Sequence, residues 1–133
     1  MANFVITNQL AVTINGSAIT DDVTAFSIDA TAEEQDSSTF GATWRQRLAG
    51  LKSGSVTLSF NQNYSATKAS VIVNPLLGAI GTVVASGTLG GTAVAGTAVV
   101  LVTQVNPIGG AVGDISVQQL TWPTAGSVTG FAL

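Results

Sequence analysis

The residues best equipped for chemistry lie close together. Asp29, Glu33, Glu34 and Asp36 place four of the chain's seven acids within eight residues. Clustered carboxylates can serve as oxygen ligands for calcium or as the acid and base of a hydrolase. The spacing matches no calcium loop, however, and the glycine such a loop needs for its sharp turn is missing. A carboxylate pair would need aromatic side chains to frame a substrate, and only Phe40 and Trp44 stand near. A solvated or interfacial charge cluster is favoured roughly five to one, because charge runs are usually surface features.

Other chemistries fail for want of partners. Gly87, Gly90 and Gly91 match neither the Rossmann nor the P-loop spacing, and no Lys-Ser or Lys-Thr pair follows them. The chain has no histidine and no cysteine, so the usual base near neutral pH, the thiolate nucleophile and the commonest zinc ligands are absent. Serine activation would fall to Lys52 or Lys68, and nothing places a serine beside either. Trp44 and Trp122 read as packing residues, with Trp44 the better interface anchor. No catalytic, cofactor-binding or metal-ligating residue is expected, and the chain reads as a non-enzyme.

Composition points toward self-association. Only 8% of the 133 residues are charged, against about 25% in ordinary soluble proteins. A surface so poor in charge suits a chain covered by copies of itself. Four bases cannot form the basic stripe that neutralises nucleic-acid phosphates. The segment from Ala2 to Ile14 lacks the basic start and apolar block of a secretory signal. Apolar runs such as Ala98 to Val102 are too short to span a bilayer, so no membrane partner is expected.

The length suits a single domain over 1–133. Phe4 to Ile14 contains an alternating tract, and Asn15-Gly16 suits a tight hairpin turn. Val23 to Thr31 alternates, with Phe26, Ile28 and Ala30 on one face and Ser27, Asp29 and Thr31 on the other. Residues 32–53 show no sustained period, which suggests a long extended arm or hairpin loop ordered against a neighbour. Phe40, Trp44, Leu48 and Leu51 also admit a helical turn around Trp44 to Leu48. Ser53 to Gln62 is the clearest strand, with Val56, Leu58 and Phe60 inward. Ser65 is a candidate cap for a helix carrying Ala69, Ile72, Val73, Leu76, Leu77 and Ile80 on one face. Pro75 either kinks this helix or restarts it, with Asn74 as the cap. Thr82 to Ala85 reads as a short strand, Ser86 to Gly96 as a loop, and Thr97 to Val105 as an interior strand. The last strand spans Ile115 to Trp122 with a bulge near Gln118-Gln119. Pro123 ends it, and a small-residue tail follows. The fold class is mainly β: a sandwich or open barrel of roughly six strands, with one flanking α-helix and a long inter-strand loop.

Asp36-Ser37-Ser38-Thr39-Phe40-Gly41, followed by Arg47-Leu48-Ala49-Gly50-Leu51-Lys52-Ser53-Gly54-Ser55-Val56, resembles the signature of the tail tube (major tail) proteins of long-tailed bacteriophages. Phe60-Asn61-Gln62-Asn63-Tyr64, Asn74-Pro75-Leu76-Leu77-Gly78, Gly96-Thr97-Ala98-Val99-Val100, Val112-Gly113-Asp114 and Thr121-Trp122-Pro123-Thr124-Ala125-Gly126 extend the resemblance in order over most of the chain. Thr88 to Ala95 is shorter than the family's loop, and Gln118 stands where the family has an apolar strand residue. The resemblance implies hexameric rings stacked into a virion tail assembled in the host cytoplasm. The implied lumen passes the tape-measure protein and then double-stranded DNA, without specific binding. Tail terminator and distal tail proteins are the implied end partners, and the loop over 32–53 is the implied stacking element.

Mapped onto this chain, the expected contact between subunits comprises Glu33, Glu34, Asp36, Phe40, Trp44, Arg45, Arg47, Leu48 and Lys52. The apolar members would hold it and the charges set its register, since rim ion pairs add only about 0–1 kcal/mol. The expected lumen-facing residues are Ser27, Asp29, Thr31, Ser55, Thr57, Ser59 and Asn61, from the polar faces of the two clearest strands. Alternatives are a capsid decoration or head–tail completion protein, the inner tube of a contractile tail or injection system, and, least favoured, a small hydrolase using Glu33 and Asp36.

Overall fold

A computed structural model describes residues 10–132, so the part of the expected first strand over 4–9 lies outside the described residues. Alternation of apolar and polar side chains yields seven strands there: β1 (Leu10–Ile14), β2 (Ser17–Ala18), β3 (Val23–Asp36), β4 (Arg47–Asn61), β5 (Ile80–Leu89), β6 (Thr92–Leu101) and β7 (Val117–Gly130). They pair antiparallel in the order β2-β1-β5-β6-β7-β4-β3. The expected mainly-β architecture holds, with seven strands.

β7 folds the sheet over a single core. Its first half pairs with β4, from Val117 opposite Asn61 to Pro123 opposite Ser55. Its second half pairs with β6, from Thr124 opposite Val100 to Gly130 opposite Gly96. Pro123 sits at the handover, where a residue without an N–H leaves no donor stranded between the two ladders. It therefore does not end the strand, and most of the expected tail is strand. Val56, Leu58, Phe60, Leu120 and Trp122 from one part pack with Val12, Ile14, Val83, Ala98 and Val100 from the other. Ile19, Ala69, Val73 and Val102 join the same core.

Two hairpins show opposite fates for sequence signals. Asn15-Gly16 joins β1 to β2 with φ of 51° and 83°, as its side chains allow. The expected loop over Ser86 to Gly96 is instead a second hairpin, in which Leu89 faces Thr92 across Gly90-Gly91 at φ of 60° and 83°. Adjacent glycines supply both positive angles, while the flanking threonines and valines are good strand formers. The helix is short: α1 spans Ala69–Val73, and a single 3-10 turn, Asn74–Leu76, follows with Pro75 in its first turn. Restart is thus the alternative realised, without a side-chain cap from Asn74. Lys68 rather than Ser65 occupies the cap position of α1, and Ile80 belongs to β5.

Candidate functional site

One face of β3, β4 and the first half of β7 points away from the core and is polar. Opposed partners share a face, so Ser27, Thr57 and Thr121 form one row and Asp29, Ser55 and Pro123 the next. Thr31 stands opposite Ser53, Ser59 opposite Gln119, and Asn61 opposite Val117. The structure thus brings Ser27, Asp29, Thr31, Ser55, Thr57, Ser59 and Asn61 onto one surface. Ser59 is the most covered of them, at 9% exposed. Hydroxyls bridge the strands, with Thr57 Oγ1 3.4 Å from Thr121 Oγ1 and Thr31 Oγ1 3.2 Å from Ser53 Oγ. Gly54 lets β3 approach closely, because a Cβ there would collide with the Asp29 carbonyl oxygen.

Beyond Thr31 and Ser53 the two strands continue as an exposed arm. The segment expected as a loop over 32–53 is therefore mostly β-hairpin, with 37–46 as its tip. No helical turn forms at Trp44, and Leu48 lies in β4 opposite Gln35. Phe40 (112% exposed), Trp44 (85%), Leu48 (63%) and Leu51 (82%) touch nothing that buries them. The tip is nonetheless structured. Asp36 Oδ1 accepts from the Ser38 N–H at 2.9 Å, Ser38 Oγ accepts from the Gln46 N–H at 2.7 Å, and the Ser37 N–H donates to the Gln46 carbonyl. Hydrogen bonds from the Ser38 N–H and then its hydroxyl hold the Asp36 carboxyl below the usual aspartate value.

A bulge at the root of the arm sorts the charges. Ala32 pairs with Lys52 and Glu34 with Ala49, so Gly50 and Leu51 together oppose Glu33. A Cβ on Gly50 would lie 3.2 Å from that of Glu33, which puts Gly50 on the face of Glu33. Past the bulge the parity of β4 is reversed. Arg47 thereby joins Glu34, Asp36 and Lys52 on the face opposite Asp29, where its Nε lies 2.6 Å from Glu34 Oε1. One acid–base pair of the expected intermolecular contact is therefore closed inside the arm. Both partners are more than half exposed, so the pair contributes about 0–1 kcal/mol. The polar face consequently carries Asp29 and Glu33 and, among the described residues, no lysine or arginine. The acids are divided between two faces, and among the described residues no three gather as a metal site. Lys52 and Thr124 line a groove of about 410 Å³ between the arm root and the second half of β7.

Gln118 carries a feature that sequence reasoning missed. Its strand pairs with β4 without a bulge, so Gln118 falls inward with Leu120 and Trp122 and is fully buried. The register irregularity lies instead between Ala98 and Val100 on β6. Gln118 Oε1 accepts from the Asn106 N–H at 2.7 Å, while its Nε2 lies 3.5 Å from both Gln62 Oε1 and Asn74 Oδ1. Ser70 Oγ donates to Gln62 Oε1 at 2.6 Å, and Gln62 Nε2 to the Asn106 carbonyl at 2.7 Å. Tyr64 donates to the Pro107 carbonyl and Ser116 to the Gly109 carbonyl. This network ties α1 and the 103–116 segment to the sheet. A buried amide with every polar atom partnered is tolerated where an unpartnered one is not.

No protein-family model and no curated protein matches the sequence. The fold does have solved counterparts. A chain from the virion of a native gene transfer agent particle superposes with a TM-score of 0.75 at 15% identity, covering 96% of this chain and 99% of that one. A chain from the tail of an empty gene transfer agent particle, refined helically with C6 symmetry, gives 0.65 at 19% identity over 93% and 95%. The SPP1 tail tube gives 0.71 at 10% identity over 95% and 79%. The fold of this chain is the tail-tube fold.

Proposed function

We propose that this chain is the structural subunit of a virion tail tube, assembling into hexameric rings that stack around a channel for DNA. The observation that carries this reading is the cation-free polar face continuing into an arm whose largest side chains are all exposed. A channel wall must stay wet yet release its cargo, and each lumenal cation would hold a phosphate as DNA passes. Ser27, Thr57, Thr121 and Asp29 meet that need, and the bulge removes Arg47 from their face. Among the described residues the outer edge of β3 has no strand partner, and closing a barrel through neighbouring copies covers such an edge. On the arm, Phe40, Trp44 and Leu48 hold the contact between rings, while Glu33, Asp36, Arg45 and Lys52 set its register and Glu34 and Arg47 pair with each other inside the arm.

The tube passes the tape-measure protein and then double-stranded DNA without specific binding. Terminator and distal tail proteins close its ends, and no cofactor or catalysis is involved. A second reading, the inner tube of a contractile or injection system, draws support from the anti-feeding prophage baseplate. That match covers all of both chains with a TM-score of 0.55 at 10% identity. Negative-stain microscopy of the purified protein tests the tube reading: rings or tubes with a central channel are expected, and a persistent monomer at high concentration would refute it.

A further inference from the structure

Two exposed apolar clusters stand at opposite ends of β4. At one end is the arm tip, with Phe40 (112% exposed) and Trp44 (85%) beside Arg45. At the other, where Asn61 meets Val117, lies the 107–116 loop, with Ile108 (87%), Val112 (107%) and Ile115 (73%) around Asp114. β4 is 15 residues long, which separates its ends by on the order of 45 Å. The two clusters therefore cannot meet within one chain.

We infer that the arm tip of one copy docks on the 107–116 loop of the next, with Arg45 facing Asp114. The inference rests on the tube reading and names the receiving surface for its arm. Charge complementarity selects the occupant: neither Arg45 nor Asp114 has an ion-pair partner among the described residues, and of the two bases without one, Arg45 stands at the arm tip and Lys52 at its root. The loop is presented rather than slack. Its start is tied by Tyr64 and Gln118 and its end by Ser116, and the Asp114 N–H donates to the Ala111 carbonyl. Complementary patches at opposite ends make a heterologous contact, which propagates as an open filament where its rotation closes no ring. The aromatic anchors supply the adhesion and the opposed charges the register.

Because the chain contains no cysteine, disulfide trapping tests the contact cleanly. Arg45→Cys and Asp114→Cys are made separately and mixed, and also combined in one chain, with assembly followed by microscopy. The mixture is expected to give cross-linked dimers on mild oxidation, the doubly substituted chain a covalent ladder, and either single variant alone neither. A charge exchange checks the electrostatics: Arg45→Glu and Asp114→Arg should each shorten tubes, and together restore their length. Normal tubes without cross-links, or full-length tubes from both single charge variants, would overturn this contact while leaving the tube reading intact. Failure of the unaltered chain to form rings or tubes would remove the tube reading, and this contact with it.

Discussion

Replacing Trp44 by alanine separates assembly from folding. The side chain is 85% exposed, so its removal should alter the folded chain by no more than about 0.5 kcal/mol, as exposed surface changes do. In a contact between copies the same side chain would cover about 200 Å², worth up to about 5 kcal/mol at roughly 25 cal/mol per Å². Measured losses at buried aromatic anchors fall nearer 2–4 kcal/mol. At about 1.4 kcal/mol per decade, the critical concentration for tube growth should rise roughly 30- to 700-fold. Pelleting of tubes across a concentration series reads that quantity, and thermal melting of unassembled protein reads the fold. Trp122→Ala is the converse control. Trp122 is fully buried and donates to the Gln104 carbonyl at 2.9 Å, so about 3–5 kcal/mol of stability should be lost. An unchanged critical concentration for Trp44→Ala, or melting as low as that of Trp122→Ala, would refute the assignment of Trp44 to assembly.

Three further outcomes are expected. Gln118→Ala strands the Asn106 N–H and opens a cavity, so chemical denaturation should show a loss of about 2–3 kcal/mol, with exchange of the 103–116 amides accelerated. Replacing 32–53 with an Asn-Gly turn should leave a domain that is folded by calorimetry, since little of the arm contacts the core, but that forms no stacked tubes by sedimentation; continued polymerisation would show that the arm does not stack rings. Asp29→Lys should permit assembly but hinder DNA passage, measured as reduced infectivity of particles carrying the variant; unchanged infectivity would place Asp29 away from the channel.

Much of this fold was legible where one face of a strand is buried. The alternations of Val56, Leu58 and Phe60 and of Phe26 and Ile28 gave the strands and their polar faces, because register is pinned by a buried side. The arm was legible only as an aperiodic, charge-rich stretch, since a hairpin exposed on both faces has no hydrophobic period to display. The Gly90-Gly91 turn was hidden by a composition that also suits a loop. Gln118 looked like a break in strand parity because its burial depends on Asn106, Gln62 and Asn74, which are distant in sequence. The bulge that transfers Arg47 away from Asp29 exists only in the pairing of β3 with β4, and no local signal announces it. Among the candidate residues, Ser27, Asp29, Thr31, Ser55, Thr57, Ser59 and Asn61, the set expected to face a lumen, share one face of the sheet. The arm charges proved partly satisfied within the hairpin.

The most direct test of the channel is a helical cryo-EM reconstruction of tubes assembled from the purified chain. The face bearing Ser27, Asp29, Thr57 and Thr121 should line the inner radius, with the arm reaching into the adjacent ring. A tube with that face on its outer wall, or protein that forms no tube at all, would contradict the proposal.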